Sequence, residues 1–295
     1  MSPPGPEHLE SWYLDARLDD GTVVTITFAS RHRICRPGHG CSREPTATVC
    51  VNYFAPDGTH IAAETTSGED AYAAADQCDV RIGPHRLTGG LVFHHVMVCD
   101  RRVSLDLAFT GTIPPTRIGT GRDVVSGTGR HTGWLVMAPH ADVTGTISTL
   151  GRTMHVRGDG YHDHTWSDIA RASYLRTRYR AHGRLGQNTL VFGADEGTPA
   201  TGSITLPFRM LFQPPLNQIV TDRGPDFTVL GRRTGSDLIA DRLRFTCHHA
   251  PHVVTIDVDS LQPLRSYRQP GLAVPPVHRP RHPQYQNRPP ATTTI

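Results

Sequence analysis

The chain contains no lysine; all 30 of its basic residues are arginine. That excludes a Schiff base to pyridoxal phosphate or to a carbonyl substrate, and a Walker-type phosphate-binding lysine. No apolar run approaches the length a bilayer span requires. No Gly-x-Ser-x-Gly elbow is present, and no Gly-x-Gly-x-x-Gly follows a strand and opens a helix. A serine hydrolase of the elbow type and a nicotinamide or flavin fold therefore have no support. The opening residues lack a charged-then-apolar pattern, so a secretory leader is not expected. Six cysteines at irregular spacings in 295 residues do not form a disulfide framework, and a reduced, cytoplasmic protein is the expected setting. The net charge of +3 is small and the arginines are scattered, so no nucleic-acid partner is expected.

What is present reads as strands. Val24, Ile26 and Phe28 alternate with Val23, Thr25 and Thr27; Val103, Leu105, Leu107 and Phe109 alternate with polar or small neighbours; Leu243, Phe245 and Cys247, then Val254, Ile256 and Val258, repeat the pattern. Period-2 alternation predicts strands with one buried face. Asp20-Gly21, Asp57-Gly58 and Gly83-Pro84 supply turns between them. No long helical pattern occurs; one short helix is expected around residues 167–171. Loops 30–46 and 111–130, rich in glycine and proline, are expected to rim a cavity. Beyond Leu264 the chain is proline-rich with no acidic residue, which predicts a disordered or loosely docked tail.

Residues 158–166 read Gly-Asp-Gly-Tyr-His-Asp-His-Thr-Trp. In an extended segment His162, His164 and Trp166 share one face, and Tyr161 and Asp163 the other. The glycines allow close backbone approach or a tight turn. His162-x-His164 puts two imidazoles on one face, but two ligands do not define a metal site. No glutamate follows within thirty residues, so the chain is expected to need no metal. The bland alternative is that these histidines make buried hydrogen bonds. His32, Cys35, His39 and Cys41 offer four soft ligands, yet their spacing matches no common zinc module, and a surface loop is the simpler reading. Cys50, Cys78, Cys99 and Cys247 fall in apparent strands, where cysteine usually acts as a small buried hydrophobe.

The stretch Gly-x-Gly-Tyr-His-Asp-His-x-Trp resembles the signature of the hydroxyneurosporene synthase (carotenoid 1,2-hydratase) and AttH-like superfamily, which includes lipocalin-like Diels–Alderases. Glu10-Ser11-Trp12-Tyr13-Leu14-Asp15-Ala16 is similar to the family opening Glu-Trp-Trp-Tyr-x-Asp-Ala. Residues 78–83 and 129–134 also fit, so the resemblance spans roughly residues 10–260. Ser11 stands in place of a tryptophan, Thr165 of an asparagine and Ser167 of a glycine; the aromatic segment that follows is reduced to Tyr174 and Tyr179.

The resemblance implies an all-β fold of two lipocalin-like antiparallel β-barrels packed together: a flexible N-terminus at 1–8, barrels at 9–157 and 158–264, and a tail at 265–295. It also implies that the Pro-x-Tyr stretch at 283–286 packs back. The expected activity is cofactor-independent cyclisation, Diels–Alderase-like, of a hydrophobic polyene or polyketide-type intermediate of specialised metabolism. Hydration of an isoprenoid or carotenoid double bond is the second reading, and a non-catalytic lipocalin-like carrier the third. Hydration needs a carboxyl group that burial keeps protonated, and an aromatic face for the cation. Pericyclic cyclisation needs a shaped cavity and one or two donors to a carbonyl. His164, Asp163 and Tyr161 are the expected catalytic residues. Trp166, His162, Trp12, Trp134, Tyr174 and Asp195 are the expected substrate-binding residues. His164 and Trp166 carry over from the hydratase branch, whose downstream acid has Asp195 as its nearest counterpart. A hydrophobic small molecule is the expected partner, with no cofactor.

Overall fold

The computed structural model describes residues 9–259, except 33–34, 37–39, 42–45, 68–70, 75–76, 119–121, 126–128, 170–173, 200–202, 204, 214–217, 223–225, 233–239 and 250–251. The tail, with its expected Pro-x-Tyr docking, lies outside the described residues; of the short helix expected at 167–171, Ser167 instead ends a strand, 168–169 form a bend, and 170–171 lie outside the described residues. The protein is all-β, as its alternating pattern predicts. The strands in chain order are β1 (Leu9–Leu18), β2 (Val23–His32), β3 (Cys35–Arg36), β4 (Gly40–Cys41), β5 (Thr46–Phe54), β6 (His60–Ser67), β7 (Ala71–Ala73), β8 (Cys78–Ile82), β9 (His85–Gly89), β10 (Phe93–Val98), β11 (Val103–Gly111) and β12 (Arg122–Val125). There follow β13 (Arg130–Thr149), β14 (Arg152–Ser167), β15 (Leu175–Leu185), β16 (Asn188–Gly197), β17 (Thr205–Gln213), β18 (Gln218–Asp222), β19 (Asp226–Arg232), β20 (Ala240–His249) and β21 (His252–Asp259).

Most of these form one antiparallel sheet in the order β6-β5-β2-β1-β14-β13-β11-β10-β9-β8-β7, with β12 added on β13. The sheet curls until its ends approach, β7 near β2 and β8 near β5, so it is a nearly closed barrel. Curling hides the edges that an open sheet would expose. The expected turns are in place. Gly21 and Gly58 take φ of 87°, and Asp20 and Asp57 each accept a hydrogen bond from the backbone N–H two residues on, at 2.8 Å. The β13–β14 hairpin turns on Leu150 and Gly151, both at positive φ, as a two-residue hairpin loop requires.

Inside the barrel lie the alternate residues Trp12, Leu14, Ala16 and Leu18 of β1, with Ile26, Phe28, Leu107 and Phe109 among the side chains packed on them. Removal of this apolar surface from water is the main force that closes the sheet. A second sheet, β15-β16-β17-β18, supplies Val191, Phe208, Met210 and Phe212 to a separate cluster with Tyr161, Val136 and Ile118. These elements belong to one compact unit, Met1–Asp226; β19, β20 and β21 form a three-stranded sheet within the other, Phe227–Ile295. Among the described residues no helix is long and apolar enough to cross a membrane.

β14 carries the signature and lies between β1 and β13. Gly158 and Gly160 do not turn the chain; they sit mid-strand and make room. A Cβ on Gly160 would lie 2.5 Å from Val143 Cγ2, 2.7 Å from Phe109 Cε1 and 2.9 Å from the Asp15 carbonyl. Gly160→Ala should therefore cost about 1–3 kcal/mol of stability by overpacking. Equilibrium urea unfolding checks this, and an unchanged midpoint would contradict the close approach.

Candidate functional site

From Gly160 onward β14 is covered on both faces, so its alternation sends side chains into two different environments. Direct cross-strand partners share a face. His164 pairs with Trp12 and His162 with Leu14, which places both histidines on the barrel side. His164 stacks on Trp12 with centroids 4.8 Å apart and planes 5° from parallel, and its Nε2 lies 3.9 Å from Glu10. Trp166 tilts against His164 at 5.2 Å, and its indole crosses Gly133, where a Cβ would collide with the ring. Deeper in the barrel, Nδ1 of His162 donates to the Tyr13 carbonyl at 2.9 Å. Its ring meets His94 edge-on at 4.6 Å. Burial pushes the His162 imidazole well down, helped by His94, and pushes His94 down to about 4, opposed by the Gly90 backbone. Both rings are neutral at neutral pH.

The opposite face holds Tyr161 and Asp163. The Tyr161 hydroxyl donates to Asp163 Oδ2 at 2.9 Å, and its ring stacks on His182 at 4.2 Å. His182 in turn pairs with Asp15 at 2.8 Å. Burial raises the pKa of Asp163, opposed first by the positive charge of Arg180 and then by the Tyr161 hydrogen bond. The buried indole N–H of Trp134 bears on the same carboxyl without reaching hydrogen-bond geometry.

Beside this pair a cleft opens between β13 and the second sheet, lined by Trp134, Ile118, Arg178, Arg180, Asp195 and Phe208 among others. Arg178, Arg180 and His182 alternate along β15, so all three point the same way; Asp195 and Phe208 reach that face from β16 and β17. Asp195 accepts from Arg178 Nε and Nη2 at 3.0 and 2.8 Å and from Arg180 Nη1 at 2.9 Å. The Arg180 guanidinium also lies 4.5 Å from the Trp134 ring centre and 4.4 Å from that of Phe208. Gly193 makes this possible, since a Cβ there would stand 2.6 Å from Phe208 Cζ. Burial alone would raise the pKa of Asp195, but the two arginines hold it far below the carboxylate range. Two cations share Asp195, and Asp163 is a further carboxyl whose charge acts on both. Its free space is about 70 Å³, on the order of five waters, which admits a head group but not a whole polyene.

The structure thus separates the residues singled out from sequence. Trp134 and Asp195 line the cleft, with Asp163 and Tyr161 beside it. His162, His164, Trp166 and Trp12 lie on the barrel side of β14. Tyr174 is buried and shares a hydrogen bond with Thr132 at 3.1 Å. Loop 111–130 contributes Ile118 to the cleft, whereas the side chains of loop 30–46, with the His32-Cys35-His39-Cys41 group, lie outside the described residues. Cys50 is buried as a hydrophobe would be; Cys78 is half-buried and Cys99 is exposed, because Cys99 lies just past the end of β10. Sequence reasoning missed Arg178, Arg180, His182 and Phe208. The signal for the first three was the i, i+2, i+4 spacing of Arg178-x-Arg180-x-His182.

No family model matches the sequence, and no curated protein matches it. Solved structures do. A candidate AttH protein from Nitrosomonas europaea matches with a TM-score of 0.62 at 14% identity, over 83% of this chain and 81% of that one. Kievitone hydratase from Nectria haematococca matches with a TM-score of 0.57 at 10% identity, over 83% of this chain and 74% of that one. CghA with Sch210972 matches with a TM-score of 0.57 at 14% identity, over 85% and 75%. The chain therefore shares the lipocalin-like fold of these proteins, as the AttH-like resemblance of its motifs implies.

Removing the Asp195 charge tests the electrostatics. Asp195→Asn should cost roughly 3 kcal/mol, because it leaves two largely buried guanidinium groups uncompensated. The pH dependence follows from the lowered pKa. The stabilisation by Asp195 is complete above its unfolded value near 3.8 and is lost as pH falls toward the lower folded value. Thermal unfolding between pH 7 and pH 2 should then show a smaller acid loss below pH ~4 in Asp195→Asn than in the native chain. Parallel curves would refute this linkage.

Proposed function

We propose that the protein is a cofactor-independent cyclase that holds the carbonyl end of an apolar polyene in the cleft beside Asp163. The observation that carries this reading is the Arg180 guanidinium, packed between Trp134 and Phe208 and sharing Asp195 with Arg178. A donor held rigidly in an aromatic, largely dry setting polarises a carbonyl and needs no rearrangement as charge develops. Trp134 adds a second buried donor, its indole N–H, with no hydrogen-bond partner among the described residues. The two guanidinium groups favour a carbonyl or enolate head, and the limited free volume leaves the polyene to lie outward along Ile118 and the half-exposed Leu206. Catalysis then consists of holding a folded, reactive conformer and lowering the energy of its electron-poor partner. Asp163 and Tyr161 brace Trp134 and Arg180, and His164 and Trp166 set the strand from the barrel side. That solved structures of the same fold include a hydratase and a protein crystallised with a small organic compound supports an enzymatic reading.

A second reading, hydration of a C=C bond, is favoured by one observation: burial raises the pKa of Asp163, and a protonated carboxyl can donate to an alkene. Asp195 is unsuited to that role, since its arginines keep it ionised.

Product mass separates the readings. The purified chain is incubated with the precursor that accumulates in a deletion strain. An isomer of unchanged mass is the expected product. A product heavier by one water would establish hydration, and a bound but unaltered compound would overturn both in favour of a carrier. Arg180→Met should lower kcat by about 10²–10³ for cyclisation, the usual cost of one lost oxyanion donor. Asp163→Asn should instead abolish turnover if hydration is the reaction.

A further inference from the structure

The barrel side of β14 carries a feature that the cleft chemistry does not use. Cys78, His94 and His162 come from β8, β10 and β14, and one ligand atom of each lies within 4.8 Å of the others. We propose that these three side chains form a site for a single thiophilic divalent cation of the zinc class. The inference is independent of the cyclase reading.

Three features of the geometry build the site. First, Cys78 and His94 both pair with Gly89 of the intervening strand β9. The three residues therefore share one face, and the middle one has no side chain. A Cβ on Gly89 would stand 2.6 Å from His94 Cδ2, so only glycine lets the imidazole lean across β9 toward the thiol. Second, the His162 ring is fully buried and its Nδ1–H is committed to the Tyr13 carbonyl. That bond fixes the tautomer and leaves Nε2 as a lone-pair donor, the orientation that metal-bound histidines obtain from a backbone carbonyl. Third, Nε2 of His162 and both ring nitrogens of His94 are buried without a hydrogen-bond partner among the described residues. Buried polar atoms are seldom left so, and a cation at their centre satisfies His162 Nε2 and one nitrogen of His94, whose ring also feels the Gly90 backbone.

One thiolate and two imidazoles suit zinc, with the fourth position left for water or a small anion. Bond lengths of about 2.0–2.3 Å put ligand atoms roughly 3.3–3.6 Å apart. Side-chain rotations that draw the three atoms together by about 1 Å complete the site. The thiol proton leaves to solvent on binding. The site joins strands that do not pair with one another, and it anchors His162 between Tyr161 and Asp163.

The test uses the full chain. After dialysis against zinc and then buffer, elemental analysis should find about one zinc per chain, and zinc should raise the melting temperature over the chelator-treated protein. Cobalt in place of zinc should give a thiolate-to-cobalt charge-transfer band. Cys78→Ser should abolish the band, and His94→Gln should lower the retained metal to background. Cys99→Ser and the double variant Cys35→Ser/Cys41→Ser should keep both signals. Native protein that retains no zinc and melts unchanged with added zinc overturns the proposal without recourse to any variant. So does a band that survives in Cys78→Ser and vanishes in the double variant, which would place the metal on loop 32–41.

Discussion

The double burial of β14 is the constraint on which the rest depends. A strand has two faces, and in most antiparallel sheets one of them meets water. Here one face of residues 160–167 closes the barrel and the other meets the second sheet. Every side chain on that stretch is therefore committed, and polar ones must find partners or carry a cost. Tyr161 and Asp163 satisfy each other, His162 uses the Tyr13 carbonyl, and His164 uses the face of Trp12. The small residues around the strand follow from the same crowding: Gly160 admits Phe109 and Val143, and Gly133 admits the Trp166 ring.

Charge is arranged around that strand so that two carboxyl groups of the same region behave oppositely. Asp195 lies between two guanidinium groups and stays ionised, while burial pushes Asp163 toward its neutral form. The difference is one of partners, because both are shielded from bulk water. The two guanidinium groups of an aromatic cleft thus sit beside a carboxyl that burial shifts the opposite way from Asp195. The barrel interior offers different chemistry, soft and uncharged, from Cys78, His94 and His162.

Much of the architecture was legible in the sequence. Alternation in residues 23–28 and 103–109 marks strands because period 2 is a property of the strand itself. The Asp-Gly pairs mark turns because few residues tolerate positive φ. The faces of the signature were legible for the same reason: parity alone puts His162 with His164 and Tyr161 with Asp163. The set of candidate site residues was legible only in part. Trp134 and Asp195 could be named as chemically suitable, but nothing local to them indicates a shared cleft.

What the sequence by itself determined is therefore local: strand identity, turn positions, which side chains share a face, and the exclusion of lysine chemistry. The tertiary structure alone decided what each face meets. It set Arg178 and Arg180 against Asp195 across β15 and β16, and it brought Cys78 and His94 to His162 across the barrel. Strand periodicity repeats over two residues and is read within a short window. Barrel closure and sheet stacking join residues from fifteen (Arg180 and Asp195) to 167 (Asp15 and His182) positions apart, through register and curl that no short window contains.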